Sequence, residues 1–188
     1  MYRKILEEAE ALQKDLVTWR RQLHQVPEIG MDLPKTSQYV QQKLSEWKIP
    51  FERKANGSCV VGTLGTEGSC ILLRGDMDAL PICEESGEEF ASENGCMHAC
   101  GHDMHTTILL GAAKILKTHE SELKGQVKLL FQPGEEPMVG AKTVIDEGIL
   151  TEPEVGAAFA MHVTSLAPKG MILYGKHRFL LCMVLRSR

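Results

Sequence analysis

The chain has 188 residues, 43% of them hydrophobic and 24% charged, with a formal net charge of -4. That length supports one domain with a full core, and the composition excludes wholesale disorder. The small negative charge offers no footprint for nucleic acid or an anionic membrane, and no run approaches the roughly 18 apolar residues needed to span a bilayer.

Residues 1–8 soon turn acidic and lack the apolar core of a signal peptide, so a cytoplasmic location is expected. Ile5, Ala9, Leu12, Leu16, Trp19 and Leu23 alternate steps of four and three, the period of an amphipathic helix that Pro27 ends. A second helix is predicted from Pro34, a residue well tolerated in a first turn, through Val40, Leu44 and Trp47 to Pro50. Short β-rich runs follow at 58–64 and 70–74, separated by a turn containing Gly65 and Gly68. Asp103 is placed to cap a helix over 104–119, with Ile108, Leu109, Ala112, Ala113 and Leu116 on its buried side. Residues 126–132 read as a strand, 140–147 as a short helix, 155–163 as a strand and 170–174 as a last strand.

Strands alternating with helices predict an α/β domain with a mostly parallel central sheet flanked by helices. The polar motifs then share one place. Asp76 and Asp78 follow one strand, Glu135 and Glu136 the next, and His162 closes a third. In open α/β sheets, sites form outside the carboxyl ends of the strands. Cys59 and Cys70 lie inside strand-like runs, so the six cysteines are expected as reduced thiols rather than a disulfide framework.

The densest motif is His98-Ala99-Cys100-Gly101-His102-Asp103-Met104-His105. Imidazole and thiolate are preferred ligands of zinc and its neighbours, and a carboxylate orients or bridges. Pro133-Gly134-Glu135-Glu136 adds adjacent carboxylates on a loop. Hydrolysis assisted by metal needs one carboxylate to hold the ion and another to take a proton from the bound water. Asp76-Met77-Asp78 supplies alternating carboxylates that can support a ligand through hydrogen bonds. His24 reads as structural at a helix end, and His119 and His177 as surface histidines. Two other readings of the cluster stand beside this one. Cys96, His98, Cys100 and His102 can form a closed structural zinc site, and Cys96 with Cys100 can form a redox sensor.

Taken in order, these motifs closely resemble the metallo-amidohydrolases of the aminoacylase and carboxypeptidase superfamily. The nearest branch is that of hippurate hydrolase and the indole-acetyl amino-acid hydrolases, whose zinc-exopeptidase-like catalytic domain is similar to the one expected here. The matching residues are Arg20-Arg21-Gln22-Leu23-His24 with Pro27-Glu28, Arg74 to Pro81, His98 to His105, Phe131 to Glu136 and Ala160 to Val163. The resemblance implies that Cys100, His102, Glu136 and His162 bind two divalent metals, zinc or manganese first, nickel or cobalt as alternatives. It implies that Glu135 is the general base and that Asp78 steadies the site. The substrate implied is an N-acyl amino acid or short peptide. The family dimerises through a lid domain, and its members are about twice this length. Residues 1–175 are therefore expected to be the N-terminal part of a catalytic domain, with the lid and the C-terminal catalytic part absent. Residues 176–188 match nothing expected of the family and read as a divergent tail, from a frameshift or other truncation; sequencing the surrounding DNA for a lid reading frame decides this. A degenerate, non-catalytic relative is the alternative to an enzyme.

Overall fold

The computed structural model describes residues 2–166, 168, 170–173 and 180–183. The expected first helix is two consecutive ones, α1 (Tyr2–Ala11) and α2 (Gln13–His24). Leu12 joins them in near-helical geometry (φ -79°, ψ -5°), so the apolar stripe continues across the break. Its deepest members, Trp19 and Leu23, are buried, and the Trp19 ring packs against Trp47 with centroids 5.3 Å apart and planes tilted by 44°. Helix α3 (Pro34–Glu46) starts at its proline as anticipated. The Glu28 carboxylate accepts bonds from the amides of Lys35 and Thr36, at 3.1 and 2.9 Å, satisfying donors that a helix start leaves open.

Among the described residues seven strands form one sheet: β1 (Phe51–Lys54), β2 (Cys59–Leu64), β3 (Cys70–Asp76), β4 (Gln126–Gln132), β5 (Val155–Val163), β6 (Ile172–Leu173) and β7 (Leu180–Met183). Their order is β1-β2-β4-β3-β5-β7-β6. The centre, β4-β3-β5-β7, is parallel as expected, while β1, β2 and β6 join it antiparallel. Strand β1 was not legible in the sequence: its Glu52, Arg53 and Lys54 carry no apolar alternation, as suits an edge. The predicted last strand is shorter than expected, and Tyr174 lies outside the described residues. Strand β7 falls inside the stretch read as a tail and inserts between β5 and β6.

Two apolar layers hold the sheet. On one face Trp19, Leu33, Val40, Leu44, Leu110 and Phe131 pack among α2, α3 and α4 (His102–Thr118). On the other, Cys59, Val61, Leu72, Leu130, Val144 and Ile149 pack beneath α5 (Gly140–Asp146). Lys128 on β4 is also buried; its ammonium donates to the carbonyls of Ile149 and Pro153 at 2.5 and 3.0 Å. Cys59, Cys70, Cys83, Cys96 and Cys100 are free thiols.

One expectation is corrected. Asp103 does not cap α4. The helix begins at His102, and the position before it is Gly101 in left-handed geometry (φ 93°) with no side-chain cap. Asp103 sits in the first turn and turns away to α2, where a charged partner outbids a backbone amide.

The register places the site. Strands β3 and β4 end together, Asp76 opposite Gln132, and β5 runs beside β3 with Arg74 opposite Ala160. Asp76, the 133–136 loop and His162 therefore emerge at one edge.

Candidate metal centre

The centre is built from the start of α4. Gly101 lies between Cys100 and His102, and a Cβ there would meet Val163 Cγ2 at 2.5 Å. Only glycine combines that positive φ with so close an approach of the loop to the end of β5. His102 is fully buried. Its Nδ1 lies 2.7 Å from the Asp78 carbonyl oxygen, so Nδ1 carries the proton and Nε2 presents a free lone pair. Around that Nε2 stand Asp76 Oδ2 at 3.7 Å, Glu135 Oε2 at 3.8 Å and Glu136 Oε1 at 3.9 Å.

Cys100 and His162 close the other side. Cys100 Sγ is 3.3 Å from His162 Nε2, while His162 Nδ1 donates to the carbonyl of Val163 at 2.6 Å. The ligand atoms of Cys100, His102 and His162 lie within 4.8 Å of one another, and so do those of His102, Glu135 and Glu136. His102 is common to both groups. Residues 62 positions apart in sequence thus share one small volume.

Asp78 organises the glutamates. It is fully buried, and its two oxygens accept the amides of Glu135 and Glu136, each at 3.0 Å. Gly134 makes this turn possible with φ 69°, where a Cβ would stand 2.2 Å from Met31 Sδ. The clamped loop leaves the Glu135 side chain 40% exposed and that of Glu136 22% exposed, so the first reaches outward and the second inward.

The electrostatics fit a cation. His102 Nε2 and Glu136 Oε1 are buried polar atoms without a hydrogen-bond partner, and they lie 3.9 Å apart. Such orphans cost about 1–3 kcal/mol each when nothing compensates them. Burial, then the negative charges of Glu136, Glu135 and Asp76, push the Cys100 thiol up to about 11. Burial works against a charged His102, but the hydrogen bond to Asp78 and the charge of Asp76 outweigh it and raise its pKa. A divalent ion held here would reverse this situation by favouring the thiolate and pairing with the carboxylates.

Sequence reasoning missed two supports. His105 is fully buried, with Nδ1 2.5 Å from Asp76 Oδ1 and Nε2 accepting the Val163 amide at 2.9 Å. Its signal was the three-residue spacing from His102, which puts both rings on one helix face. Asp76 is also held by Arg74 Nη1 at 2.6 Å. Burial raises its pKa, but the His105 bond and the Arg74 charge prevail and bring it down to about 2.

The second support is a charged clasp. His24, structural as expected, sits with Nδ1 2.7 Å from Asp103 Oδ2 and Nε2 3.0 Å from Glu84 Oε1. Arg20 Nε also lies 2.7 Å from Asp103 Oδ2. Two carboxylates facing both ring nitrogens call for the imidazolium. Burial opposes that charge, yet the bonds to Asp103 and Glu84 raise the His24 pKa. The clasp ties α2 to the first turn of α4, beside His102.

Cys96 and His98 do not join the cluster. The metal-competent groups among the described residues omit both, and His98 faces the His24 ring, with centroids 6.3 Å apart. Burial holds His98 down at about 4. The closed four-ligand zinc site is therefore not assembled. His119 is bonded to Glu8 and Glu122, and His177 lies outside the described residues.

A parallel sheet edge that gathers thiol, imidazole and paired carboxylates defines an α/β architecture shared with known proteins. The chain belongs to peptidase family M20/M25/M40, whose model matches residues 72–174. It is 41% identical over 182 residues to IAA-amino acid hydrolase ILR1-like 5 of Arabidopsis thaliana, covering 90% of this chain and 41% of that protein. With N-acetyl-L-cysteine deacetylase of Bacillus subtilis it shares 45% identity over 142 residues, 74% of this chain and 34% of the relative. Among solved structures, the Bacillus subtilis YXEP protein, a dinuclear metal-binding peptidase of the M20 family, superposes with a TM-score of 0.82 at 37% identity. That match covers 87% of this chain and 46% of the other. The chain thus spans less than half the length of these relatives. Among the described residues no helix is long and apolar enough to cross a membrane.

Proposed function

We propose that residues 1–175 are the N-terminal part of a metal-dependent amidohydrolase catalytic domain acting on N-acyl amino acids or short peptides. The observation that carries this reading is the convergence of His102 Nε2 and Glu136 Oε1, buried and unpartnered, beside Cys100 and His162. Cys100, His102, Glu136 and His162 would hold two divalent ions, and zinc suits the soft thiolate, with manganese, nickel or cobalt also accommodated by the mixed donors. When bound, such ions lower the pKa of a shared water and polarise the amide carbonyl. Glu135, the more exposed of the pair, takes the water's proton at its carboxylate and passes it to the departing amine. Asp78 holds both glutamate amides, and its backbone carbonyl fixes the tautomer of His102. Relatives named as an amino-acid conjugate hydrolase and an N-acetyl-cysteine deacetylase support the substrate class.

The test is cobalt titration of the dialysed chain. At least one equivalent should bind with a thiolate-to-cobalt charge-transfer band, and Cys100→Ser should remove that band. A chain that binds no cobalt overturns the reading. In a chain completed to the relatives' length, Glu135→Gln should keep its metal and lose about 100- to 10,000-fold in turnover on N-acyl amino acids. Equal metal loss in Glu135→Gln and Glu136→Gln would refute the division of roles.

A further inference from the structure

The parallel ladder between β3 and β5 stops at Arg74 opposite Ala160. Beyond it, Met161, His162 and Val163 pair on their other side with β7. The end of β5 that bears His162 is therefore not hydrogen-bonded to β3 as a strand. His105 fills that gap. From the face of α4 its Nδ1 meets Asp76 at the end of β3, and its Nε2 meets the Val163 amide at the end of β5. Thr106, the next residue, adds a bond from its hydroxyl to the Asp76 carbonyl at 2.9 Å. Gly75 lets the helix come this close, since a Cβ there would stand 3.0 Å from the His105 carbonyl oxygen.

We propose that His105 is a positioning residue: it replaces the missing rungs between β3 and β5 and so fixes His162 opposite Cys100 and His102. The inference rests on the metal-centre reading above. Its hydrogen bonds decide its chemistry. A backbone amide only donates, so Nε2 must accept and carries no proton. The proton is then on Nδ1, donated to Asp76. Both ring nitrogens are committed, so His105 has no lone pair left for a metal, although Asp76, His102 and His105 are close enough to form a ligand group. The ring touches both histidines it serves. Its centroid lies 4.6 Å from that of His162, edge to face, and 5.3 Å from that of His102. Asp76 is anchored in turn by Arg74, whose Nε also donates to Gln132 Oε1 at 3.0 Å. The line of contacts runs from the end of β4 through β3 and α4 to β5.

Three substitutions separate the roles. The amide of glutamine reaches the position of Nε2, whereas that of asparagine reaches only that of Nδ1. His105→Gln should keep an acceptor for Val163 and hold cobalt affinity within about threefold, whereas His105→Asn and His105→Phe should lose about 10- to 100-fold. His105→Gln and His105→Asn should unfold at similar temperatures, which separates positioning from general destabilisation. The Val163 amide should exchange slowly with solvent in wild type and His105→Gln, and fast in His105→Asn. Loss of a cobalt equivalent in His105→Gln would make His105 a ligand and overturn the proposal. Equal affinity in all four proteins would overturn it while leaving the metal centre standing. A wild type that binds no cobalt overturns both. Nitrogen-15 NMR of the metal-free wild type gives an answer independent of any variant: Nδ1 should be protonated and Nε2 not, and the reverse tautomer sinks the inference.

Discussion

The two halves of the sheet are unequal. On the β2-β4 side, nearly every residue of Cys59–Leu64 and Gln126–Gln132 is buried between two apolar layers. On the β5-β6 side, Gly156 to Phe159 are exposed, and Ile172 and Leu173 are 59% and 42% exposed. Cys100, His102 and Glu136 are anchored on the first half, through α4 and Asp78. His162 comes from the second. A site that draws three groups from a well-packed frame and one from a lightly covered strand depends on whatever couples the two. Here the coupling consists of a histidine, a glycine contact and the strand register.

Breaking the buried half should cost most. Phe131 is fully buried at the centre of one layer, and Phe131→Ala is expected to destabilise by about 3–5 kcal/mol, measured by urea unfolding. A loss below about 1 kcal/mol would mean the frame is not as packed as described.

Gly101→Ala strikes the junction between the halves. It forces a left-handed φ on a residue with a side chain and drives a methyl into Val163, an expected loss of about 1–3 kcal/mol. Cobalt affinity should fall with it, because Cys100 and His102 flank the position. Unchanged affinity would show that the loop adapts without moving its neighbours.

The Glu84–His24–Asp103 clasp sharpens the comparison through pH. Glu84 has a folded pKa lowered to about 2: burial raises it, but bonds from Ser86 and His24 prevail. Its contribution is present above the unfolded value of 4.5 and is lost as pH falls toward 2. His24 has a raised folded pKa, so its contribution is present below 6.5 and is lost as pH rises through the folded value. The clasp is therefore strongest between about 4.5 and 6.5 and worth on the order of 1 kcal/mol there. Glu84→Gln should flatten the acid arm of a stability-against-pH curve. An identical curve would show that Glu84 does not hold the loop.

The smallest effect belongs to the open half. Ile172→Lys should change stability by no more than about 0.5 kcal/mol, because little apolar contact is lost. It should also lower binding of a hydrophobic dye, since it interrupts an exposed apolar stretch that favours association. A loss as large as that of Phe131→Ala would mean the face is covered in solution.

Much was legible along the chain because it is local. The four-and-three spacing from Ile5 to Leu23 and the apolar runs 126–132 and 155–163 carry their own periods, and α1, α2, β4 and β5 follow them. Cys100, His102, Glu135, Glu136 and His162 were legible as chemistry, since thiol, imidazole and carboxylate stand after strand-like runs. What was missed is long-range or unpatterned. Strand β1 has a single apolar residue, Phe51, followed by three charged ones, and β7 acquires its place only by pairing between β5 and β6. Asp103 looked like a cap because the sequence does not show that His24, 79 positions away, will present a ring nitrogen at 2.7 Å.

The sequence by itself determined which groups are available for a metal and which periodic segments become helix or strand, because both depend on residue type and short spacing. Tertiary structure alone decided which of the clustered histidines face the centre. His98, His102 and His105 lie within eight residues, yet His98 turns to His24, His102 offers a free nitrogen beside the carboxylates, and His105 is spent on Asp76 and Val163. Each ring takes the role left to it by its hydrogen-bond partners, and those partners arrive from strands and helices distant in the chain.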